Sequence, residues 1–174
     1  MRVNSITPDL MVEDVESTAE WYERVMDAEV VATLPTDAEA DHFWVQVTVD
    51  GIPLMFQERR SLEAKLPPLE GTSIGGSVPL YIDIEDAEGR HADLEAAGVD
   101  IVKPPHETDF GWRQFAAMDP NGYVLWFGEN LGTEQGENIG QNERTYYRHL
   151  ADEPSGRQPG RRRSPNRAET DHWG

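Results

Sequence analysis

The sequence predicts an α+β fold built from two βαβββ modules packed side by side. Three observations carry this. Two segments 72 residues apart share an alternating apolar pattern that ends in Glu-Asp. Each is followed by a segment with helical spacing. Two further segments 71 residues apart share a glycine turn followed by an apolar strand. A period this long does not fit a stacked solenoid repeat, so it marks an internal duplication.

The first strand of each half is set by alternation. Ile6, Pro8, Leu10 and Val12 align with Val78, Leu80, Ile82 and Ile84, a period of two with one mostly apolar face. Asp14 and Asp86 then stand where helix N-caps belong. In the first helix Val15, Ala19, Tyr22 and Met26 share one face. In the second, Ala87, Leu94 and Ala97 form a weaker face, and Gly98 occupies the left-handed position past the helix end. Next come β-rich runs, then hairpins. Asp50-Gly51 and Asn121-Gly122 supply the positive φ that a tight turn needs. The expected strands lie near 5–12, 29–34, 43–49, 52–57, 78–84, 99–103, 112–118 and 123–128, with helices near 14–26 and 86–97.

Residues 1–130 therefore form one duplicated domain, with halves at about 4–58 and 76–130. Residues 131–174 differ in composition, being rich in glycine, proline and arginine with seven acids and seven arginines. Such a tail buries too little apolar area to offset its ordering entropy and is expected to be mostly disordered. A short helix over 142–150, with Tyr146, Tyr147 and Leu150, and a polyanion contact at Arg161-Arg162-Arg163 are the alternatives.

The net charge is −18, and only two of the fifteen basic residues, Lys65 and Lys103, are lysines. One reading is an acidic surface that attracts cations. The other is adaptation to a salty cytoplasm, where the screening length falls to about 3 Å at 1 M salt. The acidic body argues against a nucleic-acid partner. The chain lacks cysteine, which excludes disulfides and thiolate chemistry. No apolar run approaches the roughly 18 residues of a membrane span, and the N-terminus carries no secretory apolar region, so a cytoplasmic protein without membrane contact is expected.

The duplicated halves, the strand-Asp-helix openings and the stretch Phe115-Ala116-Ala117-Met118-Asp119-Pro120-Asn121-Gly122-Tyr123 resemble the vicinal-oxygen-chelate superfamily over about residues 4–130. That group includes glyoxalase I, extradiol dioxygenases, methylmalonyl-CoA epimerase, fosfomycin-resistance enzymes and bleomycin-binding proteins. The resemblance implies a homodimer, because members pair modules to complete the cavity. It also implies where a metal would sit: at Thr7 and Pro79 near the first strands, and at Met55 and Trp126 in the last strands. None of the four is a usual ligand for a divalent ion, so neither metal nor cofactor is expected. His106, Glu107 and Asp109 are read as a solvated loop rather than a chelate.

Alternation separates a helix-facing set (Leu54, Phe56, Leu125, Phe127) from a cavity-facing set. The candidate ligand-binding residues are Asp9, Trp44, Gln46, Met55, Gln57, Tyr81, Asp83, Phe110, Trp112, Gln114 and Trp126. Such an aromatic site with a few amides and carboxylates suits a planar or amphipathic ligand. Phe110-Gly111-Trp112-Arg113-Gln114-Phe115 is similar to the aromatic-Gly-Arg-Phe stretch of bleomycin-binding proteins, with Trp112 as an addition. Against this stands ordinary packing of the tryptophans between half-sheets, and a structural salt bridge for Arg113. Three functions follow: a metal-independent small-molecule-binding protein that sequesters or senses a toxic or aromatic compound; a glyoxalase-like lyase, isomerase or dioxygenase with an atypical site; or an interaction protein with a self-filled pocket.

Overall fold

The computed structural model describes residues 2–37, 41–76 and 78–132. The readings for the 131–174 tail, including the helix over 142–150 and the arginine triplet, fall almost wholly outside them. The described chain runs β1 (Asp9–Val12), α1 (Val15–Met26), β2 (Glu29–Leu34), β3 (Trp44–Val49), β4 (Ile52–Glu58), α2 (Arg59–Lys65), a single 3₁₀ turn (Pro67–Leu69), β5 (Leu80–Asp83), α3 (Ala87–Ala96), β6 (Asp100–Glu107), β7 (Trp112–Met118) and β8 (Val124–Asn130). The strands form two four-stranded sheets, ordered β1-β4-β3-β2 and β5-β8-β7-β6. In each, the first strand is parallel to the last and the other pairs are antiparallel. This is the expected βαβββ module, made twice.

Local chemistry explains the shared parts. The Asp14 and Asp86 side chains accept hydrogen bonds from Ser17 N and Gly89 N at 2.8 Å, capping α1 and α3. Each satisfies a backbone donor that the first helical turn leaves without a partner. Asp50 and Gly51 both take positive φ, 47° and 78°, which closes the β3–β4 hairpin tightly.

One face of each sheet packs on its helix. Tyr22, Phe56, Phe115, Phe127, Leu125, Val12 and Val47 are fully buried there. Phe115 and Phe127 stack at 4.6 Å between centroids. Polar contacts lock the modules together. The Tyr22 hydroxyl donates to Asp119 at 3.0 Å, Asn121 donates to Thr18 Oγ1 at 2.9 Å, and the Tyr123 hydroxyl donates to the Met11 carbonyl at 2.9 Å. Asp119 also accepts from the Asn121 and Tyr123 backbone N–H groups. The Asp-Pro-Asn-Gly turn thus shapes a hairpin and joins the two halves.

The structure departs from expectation in four places. Strands β1 and β5 are shorter than expected, beginning at Asp9 and Leu80. Strand β6 runs through Pro104 and Pro105 to Glu107, so His106 is a strand residue paired with Gln114 rather than part of a loop. A sheet edge tolerates proline because its outward N–H groups need no ladder partner, and two register shifts absorb the misfit. Helix α2 and the 3₁₀ turn were not anticipated.

Candidate functional site

The face of each sheet away from its helix carries the candidate residues, and pairing sorts them into rows. On the first sheet one row is Asp9–Met55–Gln46–Ala32, and the next is Met11–Gln57–Trp44–Leu34. On the second sheet the matching rows are Tyr81–Trp126–Ala116–Lys103 and Asp83–Gly128–Gln114–His106. Trp112 pairs with Asn130 beyond them. The alternation therefore assigned the strand residues to the correct face. Phe110 lies in the β6–β7 turn, partly buried.

The two faces differ in chemistry. The second is aromatic. Tyr81 meets Trp126 edge-on at 5.4 Å and Trp112 at 6.2 Å. The Gln114 amide donates to the Tyr81 hydroxyl at 3.3 Å. The phenol lies across Gly128, where a Cβ would collide with the Tyr81 hydroxyl. Glycine at 128 leaves the room that the hydroxyl occupies. Trp112 is buried, and its Nε1 donor has no partner among the described residues. Asp83 is exposed at the β5 edge.

The first face mixes Asp9, Gln46 and Gln57 with Met11, Met55 and Trp44, and α2 packs against its β1 and β4 end. Leu62 is the buried residue of that helix, and Arg59 ties it to Glu13 at 2.7 Å. Gln57 is buried between Asp9, Ser61 and Lys65. Lys65 can only donate and the Asp9 carboxylate only accept, which orients the amide between them. Its carbonyl faces Ser61 Oγ (2.7 Å) and Lys65 Nζ (3.0 Å), and its NH₂ faces Asp9 Oδ2 (3.2 Å). The Lys65 ammonium also lies 5.7 Å from the Phe43 ring centre. Asp9 keeps solvent contact, yet partial desolvation in the concavity pushes its pKa up, and Lys65 opposes the rise. Lys65 and Ser61 are site residues that sequence reasoning missed, since they belong to the unanticipated helix.

Arg113 points away from this chemistry. Its guanidinium bridges Glu107 (3.0 Å), Glu88 (3.5 Å) and Glu129 (3.6 Å), which matches the structural reading. A separate groove of about 560 Å³ lies at the start of α1, lined by Glu13, Asp14, Arg59, Ile74 and Asn121 among others. Its charged groups are already committed: Glu13 to Arg59 and Asp14 to its helix.

The superfamily's metal positions do not fit a metal. Met55 and Trp126 sit mid-strand as the resemblance implies, and Thr7 and Pro79 precede β1 and β5. A thioether, an indole, a hydroxyl and an imino acid offer no charged or imidazole donor. Among the described residues no three His, Asp or Glu side chains gather as a ligand set.

The model of the Glyoxalase/Bleomycin resistance protein/Dioxygenase superfamily matches residues 2–127. Among solved structures the chain is similar to TioX from Micromonospora sp. ML1, at 21% identity and TM-score 0.56, covering 74% of this chain and 100% of that one. It is similar to a glyoxalase/bleomycin resistance protein/dioxygenase from Nocardioides, at 16% identity and TM-score 0.62, covering 76% and 87%. It also resembles the fosfomycin resistance protein FosX from Listeria monocytogenes, at 16% identity and TM-score 0.56, covering 78% and 98%. No curated protein matches. At these identities the structural likeness establishes the fold.

Proposed function

Because the chain belongs to the Glyoxalase/Bleomycin resistance protein/Dioxygenase superfamily, we propose that it is a metal-independent small-molecule-binding protein that sequesters or senses an aromatic compound. The observation that carries this is the ring group Tyr81, Trp112 and Trp126 on the second sheet. It occupies the face where the superfamily's metalloenzymes place a metal, and it offers stacking surface in place of ligating atoms. The buried Gln114 amide donates to the Tyr81 hydroxyl and so orients that ring. Asp9, Gln46 and Gln57 extend the polar lining on the first sheet. The acidic, lysine-poor composition goes with a salty cytoplasm.

The working form is a homodimer. Strands β1 and β5 are sheet edges, and Val3, Ile6 and Val78, on the approaches to those edges, are 58%, 89% and 56% exposed. Apolar residues beside unpaired edges favour association with a second copy. Sedimentation at high salt showing only monomer would overturn the dimer.

The experiment that tests the main reading is elemental analysis of protein purified without chelator, joined to native mass spectrometry for a retained organic molecule. No stoichiometric Zn, Ni, Fe or Mn is expected, together with a bound aromatic mass or a tryptophan-fluorescence response to one. Metal-restored glyoxalase activity would refute it. A second reading, a lyase or isomerase with an atypical site, is favoured by Asp9 alone. Its raised carboxylate is the type of group a general base requires. Turnover abolished in Asp9→Asn with ligand binding intact would establish that reading instead.

A further inference from the structure

The chain has two lysines, Lys65 in α2 against the first sheet and Lys103 on β6 of the second. Their settings differ. Lys65 is engaged by the Gln57 carbonyl and stands beside the Asp9 carboxylate. Lys103 has no hydrogen bond or ion pair among the described residues. The register pairs Lys103 with Ala116, which pairs with Trp126, which pairs with Tyr81. Paired residues project from the same face of a sheet, so this row runs from an aromatic end to a cationic end. Ala116, the residue between them, is small and buried, while Tyr81 and Lys103 at the two ends of the row are exposed. At strand spacing, Trp126 and Lys103 stand about 10 Å apart. A fused-ring ligand with one acidic substituent has that length.

We propose that the ligand class is an aromatic anion, with its rings on Tyr81 and Trp126 and its acidic group on Lys103. This rests on the reading of the second sheet's face as a ligand site. The carboxylate of the neighbouring row, Asp83, lies at the opposite edge on β5, and His106 lies on the Lys103 edge. The ligand's polarity is thereby set, with its acidic end toward β6. The long-range field opposes an anion, since the chain carries a net charge of −18. A preference for an anion must therefore come from a local cation, which makes the idea easy to test.

Two dyes that differ by one sulfonate, anilinonaphthalene sulfonate and its neutral parent phenylnaphthylamine, serve as probes. Their fluorescence is titrated against the full chain in molar KCl. The wild-type protein should bind the sulfonate roughly tenfold more tightly than the parent, the scale of one charge-assisted contact. Lys103→Met should erase that ratio while leaving the parent's affinity unchanged, and Lys103→Arg should retain it. Arg24→Met, at an exposed position of α1 away from both candidate faces, changes net charge equally and should keep the ratio. An unchanged ratio in Lys103→Met, or an equal loss in Arg24→Met, overturns the assignment and leaves Lys103 as an ordinary edge-strand lysine. If neither dye binds the wild type, or Trp126→Ala affects neither, the ligand-site reading itself falls.

Discussion

Trp126 and Phe127 are consecutive residues of one strand with side chains on opposite faces, so they form a matched pair of probes. Phe127 is 1% exposed and stacks on Phe115 at 4.6 Å inside the core. Replacing it with alanine leaves a large cavity and should cost about 3–5 kcal/mol of stability. Trp126 is only partly buried, outside that core, with its ring edge-on to Tyr81 at 5.4 Å. Its aromatic contact contributes about 0.5–1.5 kcal/mol beyond area burial. Trp126→Ala should therefore lower stability by only about 1–2 kcal/mol, since little close-packed volume is lost. Its larger effect should be on binding of an aromatic ligand, about 1–3 kcal/mol, or roughly 5- to 150-fold in Kd. Urea unfolding of both variants in molar KCl, beside dye titration of each at a concentration where it stays folded, measures both quantities. If Trp126→Ala loses as much stability as Phe127→Ala while binding is untouched, the indole is a core plug and the stacking argument is wrong.

Three further outcomes follow from other parts of the molecule. Tyr22→Phe removes the donor to buried Asp119 and should cost about 1–2 kcal/mol by urea unfolding, with the fold retained, because Asp119 keeps two backbone donors. Asp14→Ala should cost about 1 kcal/mol at neutral pH through loss of the α1 cap. The N–H of Ser17 holds the Asp14 pKa below its ordinary value, so this stability is present above the ordinary Asp pKa and lost as pH falls through the lowered one. Wild type and variant should therefore converge in acid, and a gap that persists at the lowest pH would contradict the capping account. Finally, residues 1–130 carry 26 acids against eight bases, so the melting temperature should climb between dilute buffer and molar KCl, and a flat response would remove the case for salt adaptation.

The two modules were legible in the sequence because strand alternation and capping are local. Side chains of a strand alternate whatever lies beyond it, so Trp126 and Phe127 could be sent to opposite faces from their positions alone. Asp14, Asp86 and the Asp50-Gly51 turn act within three or four residues of themselves. Tertiary structure decided the rest. Helix α2 has no apolar stripe: Leu62 is its one buried residue, and its polar ties run to Glu13, distant in sequence, and to Gln57. Local propensity could not place it, nor bring Lys65 over Gln57. Strand β6 continues through two prolines because it borders no further strand, a property of sheet order. The row that joins Tyr81, Trp126, Ala116 and Lys103 depends on register across four strands and on two shifts within β6. Register is a relation between segments, set by which faces are buried together, and no single segment contains it.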